Sequence, residues 1–128
     1  MYYFIDDEHK KNYEALMAQF DLQMFEDCQY ESSIFIAAIP ILHDLLPKSI
    51  STETSPLFEL MEWDENEGKH LPSHPGLTGT SRRLLEVGLS LYNGYPIGLD
   101  DVLASVISQE YIEAIFQAIK IRAYRTFY

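Results

Sequence analysis

The residues best suited to chemistry lie in one short segment, Gly76-Leu77-Thr78-Gly79-Thr80-Ser81-Arg82-Arg83, directly before a predicted helix. Backbone N–H groups at a helix N-terminus attract anions, and glycines let the backbone approach a ligand closely. Hydroxyls donate hydrogen bonds, and an arginine can form a paired hydrogen bond with a phosphate or carboxylate. The pattern therefore predicts a small anion site made of Gly79, Thr80, Ser81, Arg82 and Arg83.

The same segment has a purely structural interpretation, which we favour. Its spacing is not that of a phosphate-binding P-loop, it has no lysine, and no clear strand precedes it. In this interpretation Thr80 caps the helix, the glycines turn the chain, and the arginines pair with nearby acids. Anion binding by the Gly76–Arg83 loop is thus the alternative hypothesis rather than the leading one.

Acidic and imidazole side chains lie close together in one stretch of the sequence, where Asp64-Glu65-Asn66-Glu67 is followed by His70 and His74. Such groups ligate zinc and other transition metals. They have no recognised metal-binding spacing here, however, and Pro72 keeps the two histidines off a shared helical face. We therefore expect a solvated acidic turn, and we predict neither a metal site nor another cofactor.

No pattern indicates a catalytic nucleophile with its base. His43 and Asp44 are neighbours on a predicted helix, so their side chains point to different sides. The single cysteine, Cys28, lies among acids that disfavour a thiolate, although a nearby helix start has the opposite effect. We expect a structural or incidental thiol and no catalytic residues, which favours a protein that is not an enzyme.

Helical periodicity covers most of the chain, whereas residues 47–79 hold four of the six prolines. Within that insertion, residues 57–63 fit either a short strand or a short helix. The first predicted helix begins at Asp6 or Asp7, the second runs from after Glu26-Asp27 to about Ile39, and the third runs from Pro40 through Leu46. The fourth runs from Thr80 to Asn93-Gly94, the fifth from Asp100 through Ile107, and the last begins after Ser108. The fold class is therefore mainly α: a single domain, residues 1–128, of five to six helices with an irregular or weakly β insertion at about 47–79.

Each long helix has an apolar stripe that we expect to face the core. The predicted inward residues are Tyr13, Leu16, Met17 and Phe20 in the first helix, Ile34, Phe35, Ala38 and Ile39 in the second, Leu84, Leu85, Val87, Gly88, Leu91 and Tyr92 in the fourth, and Ile112, Ile115, Phe116 and Ile119 in the last. Aromatic residues also gather at the chain ends, namely Tyr2, Tyr3, Tyr124, Phe127 and Tyr128. We expect these to pack and tie the termini down.

The charge of the chain is one-sided. Nine Lys and Arg stand against 20 Asp and Glu, a net charge of −11. Residues 1–64 carry 13 acids and 3 bases, whereas residues 65–128 carry 7 acids and 6 bases. This acidity argues against binding duplex nucleic acid, which depends on Lys and Arg contacts to phosphate, and favours a basic protein partner.

The sequence also bears on the compartment. The chain starts without the basic and apolar regions of a signal peptide, and its longest apolar stretch, Ile34–Leu42, is far too short to span a bilayer. One cysteine implies no oxidising compartment. We expect a cytoplasmic protein that does not associate with membranes.

Several stretches spread over nearly the whole chain carry a family resemblance. They are Phe4–Leu16, Ile36–Pro40, Trp63–Glu67, Leu77–Leu84, Leu89–Gly94 and Phe116–Arg122. In these stretches the sequence resembles a family of uncharacterised small proteins, a domain of unknown function, from low-GC Gram-positive bacteria and their phages. The resemblance implies a cytoplasmic accessory protein of a bacterium or mobile element, and it transfers no activity and no catalytic residues.

The leading functional hypothesis is a non-catalytic protein-binding module, which in its most specific form inhibits a basic partner through an acidic face. The alternative is a small-anion-binding protein or enzyme that uses the Gly76–Arg83 loop. A homodimer is a third hypothesis, which an apolar surface left uncovered by the fold would favour.

Overall fold

Six helices and one two-stranded hairpin form the regular structure of residues 1–123, the part of the chain that the computed structural model describes. The helices are α1 (Asp7–Gln19), α2 (Cys28–Ala37), α3 (Pro40–His43), α4 (Gly79–Asn93), α5 (Leu99–Ser105) and α6 (Gln109–Ala123). The strands are β1 (Met61–Asp64) and β2 (Lys69–Pro72), and a 3-10 turn at Pro56–Leu60 leads into β1. The predicted fold class, mainly α with a weakly β insertion, is confirmed.

Helix α2 lies at the centre of the fold. Every side chain from Glu31 to Ala37 is buried, and the hydroxyls of Ser32 and Ser33 donate hydrogen bonds to backbone carbonyls one turn earlier. A helix that is buried on all sides needs neighbours on all sides. Here α1, α4, α6 and the 3-10 turn supply them, and α4 and α6 make the most extensive contacts.

Both ends of α2 follow from single residues that the sequence indicates. The Asp27 carboxylate caps the start by accepting hydrogen bonds from the backbone N–H groups of Gln29 and Tyr30, each at 3.1 Å. Pro40 opens α3 as its first residue, as predicted. Helix α3 ends at His43 rather than Leu46, because the next residues continue as tighter turns with hydrogen bonds to the third preceding residue.

The starts of α1 and α4 are also capped by side chains. Asp6, not Asp7, caps α1, since its carboxylate accepts the His9 N–H at 2.8 Å. The prediction that Thr80 caps α4 is wrong, because that helix begins at Gly79 and Thr80 lies inside its first turn. The cap is Thr78, and α4 ends at Gly94, whose left-handed φ of 79° favours glycine.

The insertion contains both structures considered for residues 57–63. The 3-10 turn comes first, and β1 follows with Met61 opposite Pro72 and Asp64 opposite Lys69 in β2. The Asp64 carboxylate accepts hydrogen bonds from the N–H groups of Asn66 and Glu67, and it thereby closes the hairpin loop.

Helix α6 presents a different face to the core from the one predicted. Its buried residues are Ala114, Ile115, Gln117, Ala118 and Ile121, whereas Phe116 is 47% and Ile119 is 40% exposed. The prediction that Phe116 and Ile119 face inward is therefore wrong. The two alanines explain the difference, because small side chains let α6 approach α2 and α4 closely.

The N-terminal aromatic residues pack against the core as expected, with Tyr2 and Tyr3 both partly buried. The Tyr3 N–H donates a 2.8 Å hydrogen bond to the Gln117 side-chain oxygen, which joins the N-terminal segment to α6. The remaining predicted aromatic residues, Tyr124, Phe127 and Tyr128, lie outside the described residues.

Gly88 provides a test of the packing around α2. A Cβ atom at this position in α4 would overlap Leu57 and would approach Ile36 to 3.1 Å, and both of these side chains are fully buried. We expect Gly88→Ala to lower the free energy of unfolding by about 1–3 kcal/mol, although alanine favours a helix more than glycine does.

Gly79→Ala is the matched control, because no atom lies within 4 Å of the added Cβ. We expect it to change stability by less than about 0.5 kcal/mol in urea denaturation. Equal effects of the two substitutions would contradict the packing described for α2 and α4.

Candidate protein-binding groove

The predicted anion segment forms the first turn of α4, and its hydroxyl groups serve that helix. The Thr78 hydroxyl accepts the Ser81 N–H at 3.3 Å, and the Ser81 hydroxyl accepts the Thr78 N–H at 2.7 Å. This reciprocal capping box leaves Ser81 fully buried. A ligand at this helix start would therefore not reach the Ser81 hydroxyl.

The remaining predicted anion-site residues lie on the surface of the same turn. Gly79 and Arg82 are exposed, and Thr80 is half-buried. Arg83 forms a 3.0 Å ion pair with Glu86, one turn further along α4. This ion pair agrees with the structural interpretation, in which the arginines pair with nearby acids. Anion binding by this segment stays a prediction.

The acidic stretch with His70 and His74 is distributed over the hairpin and the loop after it. His70 packs edge-on against Phe58 and Trp63, and the His74 ring nitrogen accepts the Gly76 N–H at 2.9 Å. Across residues 1–123, no three His, Cys, Asp or Glu side chains are grouped so that they could hold a metal ion.

Cys28 lies at the start of α2 beside an arginine from α6. The Arg122 guanidinium donates one hydrogen bond to the Leu91 carbonyl at 3.0 Å and another to the Cys28 sulfur at 3.5 Å. Arg122 thereby connects α6 to the end of α4 and the beginning of α2.

A groove of about 1070 Å³ opens between the N-terminal segment and α6. We call it the N-terminal groove. Its apolar lining comes from Met1, Tyr2, Phe4, Met24, Phe25 and Ile121, and its polar lining comes from Asp6, Asp7, Lys10, Gln117 and Lys120. Concave, mainly apolar surfaces with a few polar groups are typical of binding sites.

One wall of the groove is held by the buried carboxylate of Glu31, which is 1% exposed. The hydroxyls of Tyr2 and Tyr13 each donate a 2.7 Å hydrogen bond to one carboxylate oxygen, and the Phe25 N–H donates a 2.8 Å bond to the other. Three donors satisfy a carboxylate that water does not reach. Because Tyr2 and Phe25 also line the groove, Glu31 fixes the position of its wall.

Phe25 adopts a left-handed backbone conformation with φ of 70°, which is unfavourable for an aromatic residue. The hydrogen bond from its N–H to Glu31 compensates for this strain, since hydrogen bonds to a charged acceptor are stronger than neutral ones. The conformation directs the chain so that Met24 and Phe25 lie at the groove with 48% and 37% of their surfaces exposed.

A second buried polar side chain near the groove is His9, which lies in the first turn of α1. Its Nδ1 accepts the Ile5 N–H at 3.1 Å, so its Nε2 carries the proton and donates to the Phe35 carbonyl at 2.9 Å. One turn further along α1, Asn12 donates to the Ala38 carbonyl at 3.0 Å. Two side chains of α1 therefore satisfy carbonyls at the end of α2.

Burial shifts the titration of two groups in this region. Desolvation lowers the pKa of His9, and the imidazole is thereby kept neutral in the fold. Burial, followed by the hydrogen bond to Glu31, raises the pKa of Tyr13 far above its ordinary value. The Tyr13 hydroxyl thus keeps its proton and remains a donor to the carboxylate.

Among the described residues, ion pairs neutralise little of the acidic charge. All 20 Asp and Glu lie within residues 1–123, and in this part of the chain the one ion pair is Arg83–Glu86. Around the groove, two carboxylates and two lysines balance each other. The excess negative charge therefore lies elsewhere on the surface and acts at longer range.

Two further apolar sets are exposed on the far helices. On α5 and just beyond it, Leu99, Leu103 and Ile107 are spaced four residues apart and are 65%, 47% and 87% exposed. On α6, Phe116 and Ile119 are exposed. Contiguous exposed apolar patches mark interaction sites, whereas single exposed apolar residues are ordinary.

Glu31 and His9 were not among the predicted site residues, although their spacing in the sequence indicates burial. Glu31 precedes Ile34 and Phe35 by three and four residues, and His9 precedes Tyr13 by four. Each therefore lies on the apolar stripe of its own helix. A titratable residue on such a stripe is a candidate for burial with specific hydrogen-bond partners.

Comparisons with protein-family models, with curated proteins and with solved structures find no match to this chain. Over residues 1–123, no helix combines the length and the apolar character that crossing a membrane requires.

The role of Glu31 can be tested with an isosteric substitution. In Glu31→Gln, the amide NH2 must face either the Phe25 N–H or the tyrosine hydroxyls. We expect the free energy of unfolding to fall by about 1–3 kcal/mol in urea denaturation. Glu14→Gln, an exposed change on α1, is the control and should have little effect. Wild-type stability of Glu31→Gln would contradict the proposed support of the wall.

His9 should make stability depend on pH. Its pKa in the folded protein is below the ordinary value of 6.5, so the unfolded chain binds the proton first as pH falls. The stability that His9 contributes is present above about pH 6.5 and decreases below it. We expect His9→Gln to remove this part of the pH dependence, measured by urea denaturation between about pH 7 and pH 5.

The half-buried His43 provides the matched control, His43→Gln, which should keep the decrease in stability at acidic pH. The same pH dependence in wild type and His9→Gln would show that the buried imidazole does not cause it.

Proposed function

We propose that this protein is a non-catalytic binding module that holds a segment of a basic protein partner in the N-terminal groove. The observation that carries the proposal is an apolar groove on a strongly acidic protein in which, among residues 1–123, a single carboxylate forms an ion pair. The family resemblance adds the context of a cytoplasmic accessory protein of a bacterium or mobile element.

Long-range charge supports a basic partner. With a net charge of −11 and one ion pair among residues 1–123, the surface attracts cations as they approach. Electrostatic attraction of this kind raises association rates and excludes acidic competitors. The most specific form of this function is inhibition, in which the protein occupies the basic surface of its partner.

The groove lining supports an apolar anchor within the bound segment. Met1 and Met24 have flexible, polarisable side chains that adapt to different shapes, and Tyr2, Phe4 and Phe25 offer aromatic surface. The carboxylates of Asp6 and Asp7 and the ammonium groups of Lys10 and Lys120 are balanced in number. They orient the bound segment, whereas the rest of the surface attracts it.

The proposal can be tested by affinity purification at about 50 mM salt, a concentration at which exposed charges are weakly screened. Met24→Asn removes an exposed apolar side chain from the groove, and Trp63→Gln removes one from the hairpin. We expect a basic protein to be recovered by the wild type and by Trp63→Gln and to be lost with Met24→Asn.

Calorimetry with that purified protein should then show binding that weakens about tenfold or more between about 50 and 300 mM salt. Recovery of the same proteins by the wild type and by Met24→Asn would contradict a role of the groove. Binding that is independent of salt would contradict the role of charge.

A further inference from the structure

The unpaired face of α6 has the pattern of a helix-pairing seam. Ile112, Phe116, Ile119 and Ala123 follow one another at intervals of four, three and four residues, and we call them the outer stripe. Because each residue turns an α-helix by about 100°, this stripe points away from the buried residues Ala114, Ala118 and Ile121, whereas the buried Ile115 lies beside it. Helix α6 is therefore apolar on two faces, of which one packs on α2 and α4.

Three of the four residues of the outer stripe are accessible, and Ile112 at its start also packs against the core. Phe116, Ile119 and Ala123 are exposed and Ile112 is half-buried. A helix with apolar residues on both sides is typical of one that is buried on both sides. Spacing of four and three residues in alternation is that of the seam between two paired helices.

We propose that this face binds a second copy of the chain, with the two α6 helices antiparallel about a two-fold axis between Phe116 and Ile119. In this arrangement, Phe116 of each copy contacts Ile119 of the other, and Ile112 contacts Ala123. A two-fold interface of this kind is self-complementary, so a single stripe supplies both sides of the contact.

The charges beside the stripe determine the orientation. Glu113 and Lys120 are both exposed and lie on the same side of it, seven residues apart. In an antiparallel pair these flanking positions face each other, which places Glu113 of each copy opposite Lys120 of the other. Both ion pairs form at once by symmetry.

A parallel pair would gain no such contact. In a parallel pair, the residues on one side of the outer stripe face the residues on its other side in the second copy. Glu113 and Lys120 would then face the side that carries Ile115 and Arg122. Ile115 is buried in the core of its own chain, and Arg122 is already bonded to Leu91 and Cys28. The charge pattern therefore selects the antiparallel second copy.

The length of the stripe indicates the strength of association. It covers about three helical turns, roughly 18 Å, which is short compared with interfaces that bury about 1,600 Å². We therefore expect a reversible dimer with a dissociation constant on the order of micromolar.

Sedimentation equilibrium and light scattering over micromolar to millimolar concentrations test this proposal. The wild type should approach twice the 14.8 kDa mass of one chain as concentration rises. Phe116→Asp should raise the dissociation constant by about 100-fold or more. Trp63→Asp, an equivalent change at an exposed apolar residue of the hairpin, should leave it unchanged.

A charge exchange tests the orientation. Glu113→Lys should weaken the dimer about tenfold, because two lysines then face each other in both symmetric contacts. Adding Lys120→Glu to it should restore wild-type affinity to within about threefold. Circular dichroism and urea denaturation establish that each variant keeps its fold, which is expected because all the altered side chains are exposed.

A monomer at every concentration would overturn the proposal, as would a dimer that Phe116→Asp leaves intact. Failure of the double variant to recover would overturn the antiparallel orientation. Met24→Asn should dimerise like the wild type, so loss of partner binding and loss of dimerisation are separate results.

Discussion

The carboxylate of Glu31 is the point on which the packing of the N-terminal half depends. A charge removed from water is costly unless donors surround it, and here donors come from the N-terminal segment, from α1 and from the loop before α2. None of these segments can move away without leaving the carboxylate unsatisfied. Its hydrogen bonds therefore fix three segments against the central helix, and they also permit the unfavourable backbone of Phe25.

The burial of α2 from Glu31 to Ala37 determines where function can lie. Because its neighbours cover this part of the central helix, most of the accessible surface belongs to the outer elements. The N-terminal groove lies where the first segment meets α6, and the outer stripe lies on another face of that same helix, with Lys120 between the two. Helix α6 therefore contributes to the core and to both proposed contacts, whereas the Gly76–Arg83 loop uses its hydroxyls to begin α4.

Local signals in the sequence predicted much of the fold, and long-range packing accounts for what they missed. Asp27, Pro40 and Gly94 set helix ends through their own backbone chemistry, so the sequence shows them directly. Helix α6 has two apolar stripes, and periodicity could not tell which faces the core because the close approach of α2 and α4 decides it. The groove could not be predicted at all, since it joins residues from opposite ends of the chain.

That junction has a consequence for the order in which the protein is made. The hydrogen bond between Tyr3 and Gln117 spans 114 positions, so Tyr3 leaves the ribosome well before its partner does. Helices α1 and α2 can assemble around Glu31 early, with Tyr2 already in place. The α6 side of the groove does not yet exist at that stage. A nascent chain can therefore form the hydrogen bonds around Glu31 before it is able to hold a partner in the N-terminal groove.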